Sequence, residues 1–201
     1  MPFDTSTPLF FFRHGETFYN AEGRIQGQLD TPLSPRGREQ AVEAGQKLGA
    51  ALAAEGVAPD TPGWFASPLS RASETMVLAR RALALPEEDF ARDKRLMEIS
   101  FGLWQDLTWP EINARYPGAP AARQSDFWNY RPPNGESYAD LTDRVRAFLA
   151  ERAGPIVVAA HGGVARALMV LLGGVAPADT RGMPIHQGRL LVFSEGRGRW
   201  V

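Results

Sequence analysis

The chain twice runs a short apolar stretch into a histidine followed by glycine. Leu9-Phe10-Phe11-Phe12 stops at Arg13-His14-Gly15, and Pro155-Ile156-Val157-Val158-Ala159-Ala160 stops at His161-Gly162-Gly163. Runs this short, without polar alternation and closed by glycine, read as strands buried on both faces rather than as helices. Such strands belong to parallel sheets covered by helices, and ligands of those sheets sit beyond the carboxyl ends of the strands. A third run, Trp64-Phe65-Ala66, breaks at Ser67-Pro68-Leu69-Ser70-Arg71 and sets an arginine at the mouth of the next helix. Were these three strands parallel neighbours, His14, His161, Arg13 and Arg71 would meet in one crevice.

The rest of the chain fits that frame. Residues 15–33 hold Gly15, Asn20, Gly23, Gly27, Asp30 and Pro32, a loop composition, and so long a connection directly after a strand is usually functional. Ser34-Pro35 reads as an N-cap with proline in the first turn, opening a helix with Ala41, Leu48 and Leu52 on its apolar stripe that ends near Gly56. A strand at Trp64–Ser67 follows, then a helix capped by Ser70 and running to about Leu85, and a weakly signalled strand near Asp89 to Arg92. The alternation predicts a parallel sheet with right-handed crossovers.

Residues 93–136 interrupt the rhythm. Pro110, Pro117, Pro120, Pro132 and Pro133 break every helical window except one around Glu111 to Tyr116, and seven of the chain's 20 aromatics lie between Phe101 and Tyr130. This segment is expected to be a cap over the sheet's edge with a small aromatic core. The order resumes with Ser137 capping a helix to Gly154, the strand ending at His161, a helix from Gly163 to Gly173, and a last strand at Arg189 to Ser194. That strand is expected to form a hairpin with Arg199 to Val201 across Gly196 and Gly198.

At 201 residues one domain, 1–201, is expected, with the cap inserted at about 93–136. A formal charge of −1 gives no reason to expect nucleic acid or an anionic membrane as a partner. The absence of cysteine removes thiolate catalysis and cysteine metal sites, and neither HxH nor HExxH spacing supports a metal. There is no basic leader, and the first apolar run, about five residues, is shorter than the roughly 7–15 of a secretory signal. No run approaches the roughly 20 residues of a membrane span. A soluble, cytoplasmic protein is the default expectation. Oligomeric state is not readable.

With no P-loop, no nucleophile elbow and no cysteine, what remains is imidazole, guanidinium and carboxylate. Neutral imidazole is a competent nucleophile near pH 7, and attack on phosphorus leaves a phosphohistidine that water can hydrolyse. Phosphoryl transfer asks mainly for positioning and for charge on the equatorial oxygens, which two planar guanidiniums, Arg13 and Arg71, suit. His161 could add a hydrogen bond, and Gly15 and Gly162 would let main-chain amides approach the phosphate. The leaving alkoxide needs a proton, from a carboxyl whose pKa is raised. Glu98, among apolar neighbours in Leu96-Met97-Glu98-Ile99-Ser100-Phe101-Gly102, is a candidate; Glu16, Glu74 and Glu136 are rivals.

Arg13-His14-Gly15-Glu16-Thr17, Asn20, Gln26-Gly27, Leu33-Ser34-Pro35-Arg36-Gly37, Ser67-Pro68-Leu69-Ser70-Arg71-Ala72, Glu98 with Phe101-Gly102 and Trp104, Asn134-Gly135-Glu136-Ser137 and His161-Gly162-Gly163 resemble, in order and spacing, the phosphoglycerate mutase-like branch of the histidine phosphatase superfamily. The resemblance covers about residues 8–195. It implies an α/β fold, a three-layer αβα sandwich with a mostly parallel central sheet and a small cap insertion. It also implies His14 as the phosphorylated nucleophile, Glu98 as proton donor, and Arg13, Arg71 and His161 as the phosphate pocket. Asn20, Gln26, Gly27 and the backbone of Gly162 fall at substrate-binding positions. Family members with His-Asp at the second histidine take the acid from that aspartate; here His161 precedes Gly162. One departure is Asp106, where glycine is common, which bears on substrate contacts in the cap.

The reading is a metal- and cofactor-independent phosphomonoesterase acting on a small phosphorylated metabolite. A phosphoglycerate mutase is the second choice, since the insertion is shorter than mutases of the family carry and the chain stops soon after its last strand. A non-catalytic phospholigand-binding protein is the third. Arg24, Glu16 and Arg166 are read as supporting residues, and His186 as a surface or packing residue.

Overall fold

The computed structural model describes residues 3–201. Its centre is one sheet of six strands: β1 (Leu9–Arg13), β2 (Gly63–Ala66), β3 (Ala91–Arg92), β4 (Ile156–Ala160), β5 (Leu190–Ser194) and β6 (Arg197–Trp200). The helices are α1 (Phe18–Glu22), α2 (Pro35–Ala54), α3 (Ser70–Ala82), α4 (Trp109–Arg115), α5 (Ala119–Ser125), α6 (Tyr138–Leu149) and α7 (Gly162–Leu172), with 3₁₀ turns between. Across the sheet the order is β3-β2-β4-β1-β5-β6, parallel from β3 to β1 and antiparallel for β5 and β6. The three strands that end in the chemistry-bearing residues therefore lie side by side.

Strand alternation assigns the two faces. Phe10, Phe12, Val157 and Ala159 pack against Leu48 and Leu52 of α2 and Met76 of α3. Leu9, Phe11, Ile156 and Val158 pack against Leu141, Val145 and Phe148 of α6 and Leu168 of α7. Helices thus cover both faces. Leu9, Phe10, Phe11 and Phe12 are all fully buried. Each such side chain contributes about 1.5–3 kcal/mol when taken from water, so β1 is stable only in a site covered on both sides.

Some local expectations need correction. Ser34 caps α2 through Gly37 N–H as expected, and Ser137 and Asp140 form a capping box on α6. Ser70, however, does not cap α3: its N–H and hydroxyl both donate to Asp30 Oδ1, at 2.8 and 2.7 Å, and Leu69 stands at the cap. The 15–33 loop is less irregular than its composition suggests, because Thr17 and Asn20 form a capping box that starts α1.

Residues 93–136 hold two helices where one was expected. Pro110 and Pro120 sit in the first turns of α4 and α5, where a missing N–H costs nothing, rather than inside them. Trp104, Leu107 and Ile112 form the small core there, with Tyr130 stacked on Trp104 at 5.6 Å. The terminal hairpin also differs. It turns on Glu195 and Gly196 alone, both at positive φ (50° and 71°), the two-residue geometry that matches strand twist. Gly198 lies within β6 opposite Phe193. Among the described residues no helix is long and apolar enough to cross a membrane.

Candidate active site

The register Arg13↔Ala160 sets His14 and His161 next to each other beyond the ends of β1 and β4. His14 N–H donates to Ala160 O at 2.9 Å, and the ring centroids are 5.2 Å apart. Both side chains are buried. His14 Nδ1 lies 2.7 Å from Gly15 O, which can only accept, so Nδ1 carries the hydrogen and Nε2 the lone pair. Burial, then the charges of Arg13 and Arg71, hold the His14 pKa well below 6.5, keeping the ring neutral.

His161 Nε2 lies 2.7 Å from Ser67 Oγ, and that hydroxyl already accepts the Leu69 N–H at 3.3 Å. A Ser67 hydroxyl that donates to Nε2 leaves the ring hydrogen of neutral His161 on Nδ1, free for an anion. Burial, followed by Arg71, keeps that ring uncharged too.

Arg71 is fully buried and spends its two terminal nitrogens on Leu29 O and Gly27 O, both at 2.7 Å. Burial lowers its pKa to about 10, so it stays charged at neutral pH. Arg13 donates to Ile185 O at 3.0 Å. Arg13 Nε, Arg71 Nε and His161 Nδ1 are buried without a protein partner. Buried donors left unpaired are costly, and a group with several anionic oxygens satisfies them together.

Glu98 comes to the same place. Its Oε1 accepts the N–H groups of Ile99 (3.0 Å) and Gly163 (2.9 Å). A Cβ at Gly163 would lie 2.3 Å from that oxygen, so only glycine permits the contact. The Glu98 main-chain carbonyl is held by Arg144 and Gln28. With Arg13, Gly162, Tyr138 and Arg166 the Glu98 side chain lines a cavity of about 290 Å³. The rivals are engaged elsewhere: Glu16 accepts from Ser34 Oγ, Glu74 pairs with Arg38, and Glu136 pairs with Arg144.

Other expected residues are divided between loop and pocket. Asn20 Oδ1 accepts from Thr17 N–H and Gln187 Nε2, and Gln26 Oε1 from the hydroxyls of Thr17 and Thr31. These carbonyls brace the loop, as does Gly27, whose φ of +54° aims its carbonyl at Arg71. Gly162 borders both Arg13 Nε and Glu98 Oε2. Gly15 needs correction: its N–H donates to Thr75 Oγ1 at 3.2 Å, not toward the crevice, and a Cβ there would lie 2.0 Å from Gly37 O. Close packing onto α2 is what requires glycine. Arg166, read as supporting, lines the cavity beside Arg13.

Sequence reasoning missed Ser67, Thr75 and Arg144. The first lay within a noted motif and the second one helical turn after Arg71, but buried hydroxyls look like caps in a sequence. Asp106 does not line the cavity; it takes φ +68° and its main chain joins Ile25 and Arg24, which explains why glycine is common there. His186 packs edge-on against Trp200, in keeping with a packing role. Among the described residues no three histidine or carboxylate side chains are grouped to hold a metal.

A neutral imidazole with a free Nε2, set among unpartnered cationic donors and a carboxylate at strand ends, defines a site for phosphoryl transfer. The model of the histidine phosphatase superfamily (branch 1) matches residues 9–201, and the chain belongs to that superfamily, as a phosphoric monoester hydrolase. It is 38% identical to a glucosyl-3-phosphoglycerate phosphatase of Mycolicibacterium vanbaalenii, over 96% of this chain and 82% of that one. It is 35% identical to the 6-phosphofructo-2-kinase/fructose-2,6-bisphosphatase of Gallus gallus, over 82% of this chain and 32% of that longer protein. A solved mycobacterial glucosyl-3-phosphoglycerate phosphatase in complex with VO3 superposes with a TM-score of 0.76 at 33% identity, covering 97% of this chain and 96% of that one.

Proposed function

We propose that the enzyme hydrolyses a small phosphorylated metabolite through a phosphohistidine on His14. The observation that carries this is the free Nε2 of a neutral His14 in a crevice shared with Arg13, Arg71 and His161, whose Nε, Nε and Nδ1 atoms are each buried without a partner. Nε2 attacks phosphorus, the bond to the ester oxygen breaks, and the three donors take up the charge of the equatorial oxygens. Glu98 gives its proton to the departing alkoxide and, now a carboxylate, takes one from the water that attacks the phosphohistidine. Nδ1–H stays on Gly15 O throughout, so the phosphorylated ring is cationic and departs readily from phosphorus.

The 93–136 segment serves as the cap that selects the organic part of the substrate. The glucosyl-3-phosphoglycerate phosphatases among its relatives make phosphorylated sugar acids the first substrates to try. All the chemistry is allotted to side chains, so neither metal nor cofactor is needed, and EDTA should leave the rate unchanged. We assign the enzyme to the cytoplasm, where such metabolites are found, with no nucleic acid or membrane as partner.

The test is turnover of p-nitrophenyl phosphate with the reaction stopped in alkaline denaturant, which preserves phosphohistidine. The wild type should give an acid-labile phosphoryl adduct on His14, and His14→Ala should lose both adduct and turnover, by about three orders of magnitude or more. Full turnover by His14→Ala would overturn the reading.

A further inference from the structure

Asn134-Gly135-Glu136-Ser137 ends the cap segment, and the phosphoryl transfer proposed for His14 makes no use of it. In the fold it is clasped to the residues that follow Glu98. Leu103 N–H donates to Pro133 O at 2.9 Å, and Glu136 N–H to Ser100 O at 2.8 Å. A Cβ at Gly102 would lie 2.1 Å from Pro133 O, and one at Gly135 2.7 Å from Ser100 O, so main chain meets main chain on both sides. The two ends of the cap are thereby closed on each other beside Glu98.

Residues 97–101 lie between two 3₁₀ turns and belong to neither helix nor strand, so their main-chain groups need other partners. The peptide unit joining Glu98 to Ile99 is held at both ends. Its oxygen accepts from Arg144 Nη2 at 2.9 Å and Gln28 Nε2 at 3.0 Å, and its N–H donates to the Glu98 carboxylate at 3.0 Å. Both side-chain donors also bond Glu136. That carboxylate accepts from Arg144 Nε and Nη2, each at 3.1 Å, and from Gln28 Nε2 at 3.5 Å. Its Oε2 takes the Ser100 N–H at 2.9 Å as well. Only 18% of the Arg144 side chain and 26% of Glu136 are exposed, so these charge-assisted bonds are weakly screened. Glu136 itself does not line the cavity beside Glu98.

We propose that Glu136 is a positioning residue for the general acid: through Arg144 and Gln28 it fixes the 98–99 peptide, and with it the carboxyl that protonates the leaving oxygen. The proposal rests on the reading of Glu98 as proton donor. A tilt of that peptide carries the carboxyl away from the ester oxygen, and a misplacement of about 1 Å can lower a rate by about two orders of magnitude. Attack by His14 is spared, since among the described residues no hydrogen bond joins Glu136 to Arg13, His14, Arg71 or His161.

The experiment uses p-nitrophenyl and benzyl phosphate, esters of similar size that release a stable anion and an alkoxide in need of a proton. The readout is kcat/KM for the first divided by kcat/KM for the second, taken within each variant so that loss of folded protein cancels. Glu98→Gln should raise this ratio by about 10² or more over wild type, and Glu136→Gln by about ten-fold. In the double variant the ratio should stay within about two-fold of Glu98→Gln alone, because the proton is already gone. A ratio in Glu136→Gln within about two-fold of wild type, whatever the fall in overall rate, overturns the proposal, as does a further rise in the double variant. Should Glu136→Gln fail to fold, Gln28→Met decides: about a three-fold rise supports the proposal, and an unchanged ratio overturns it. If wild type cannot turn over benzyl phosphate, or Glu98→Gln leaves the ratio unchanged, Glu98 is not the acid and the proposal falls with it, while the adduct on His14 is judged by its own trapping. Turnover of neither ester by wild type sinks the phosphatase reading and this proposal together.

Discussion

Glu98 is held by two main-chain amides at Oε1, while its Oε2 lies beside Gly162 and Arg13 at the cavity. Glu98→Gln keeps the size of the side chain and removes the proton, so its effect should depend on the leaving group. Alkyl phosphates, whose alkoxide cannot leave unprotonated, should lose roughly 10²–10⁴ in kcat, whereas p-nitrophenyl phosphate, which releases a stable anion, should lose far less. Equal losses on both, in parallel kcat measurements, would assign Glu98 another task. The sequence alone made His14, His161, Arg13 and Arg71 legible, because each ends a strand or opens a helix at a predictable place. It left Glu98 among four acids, since what separates them is which one lies across space from Arg13 and α7. The resemblance, not the spacing, selected Glu98. Ser67, which bonds the buried ring of His161, carries no mark in one dimension that distinguishes it from a turn serine.

Between elements, the chain leaving β1 runs against the start of α2 with no room for a side chain. In Gly15→Ala the new carbon would meet Gly37 O at 2.0 Å, main chain against main chain, and neither can yield without moving His14. Chemical denaturation should show a loss of about 1–3 kcal/mol, with activity falling as well. Asp106→Gly works in the opposite direction. That residue takes φ +68°, which glycine adopts without strain, and its side chain bonds only the partly exposed Tyr19, so glycine should gain up to about 1 kcal/mol in the same measurement, with kcat unchanged. Helices α2, α6 and α7 were legible because their caps and apolar stripes are local. Helix α5 was not, because Pro120 reads as a breaker until Gly118 is seen to start a turn before it. The hairpin was displaced because Gly196 and Gly198 look alike in sequence, whereas only the first has positive φ.

For the whole molecule, two buried neutral histidines make stability depend on pH. His14 and His161 have folded-state pKa values well below the 6.5 of the unfolded chain. Below pH 6.5 the unfolded chain therefore takes up protons that the folded one refuses, so their contribution is complete above that pH and declines as pH falls. Each should cost about 1.4 kcal/mol per pH unit, together about 2.7, as long as the folded rings stay neutral. The lowered carboxylates Asp4, Asp93, Asp140, Glu87, Glu111 and Glu151 act mainly below about pH 4.5, under the foot of this window. Urea midpoints from pH 7 to 5 measure it; a flat profile would mean that the folded rings charge freely. The fold class was legible from the alternation of buried runs and helices, but the edge positions of β3 and β6 were not, because two or four mostly exposed residues carry little pattern. The adjacency of β1 and β4 has a consequence for how the enzyme comes into being. The strand carrying the nucleophile is made well before the strand that seats its partner imidazole. Catalytic competence therefore waits on the later strand, and a ribosome-bound fragment ending before residue 156 is inert toward the phosphate esters around it.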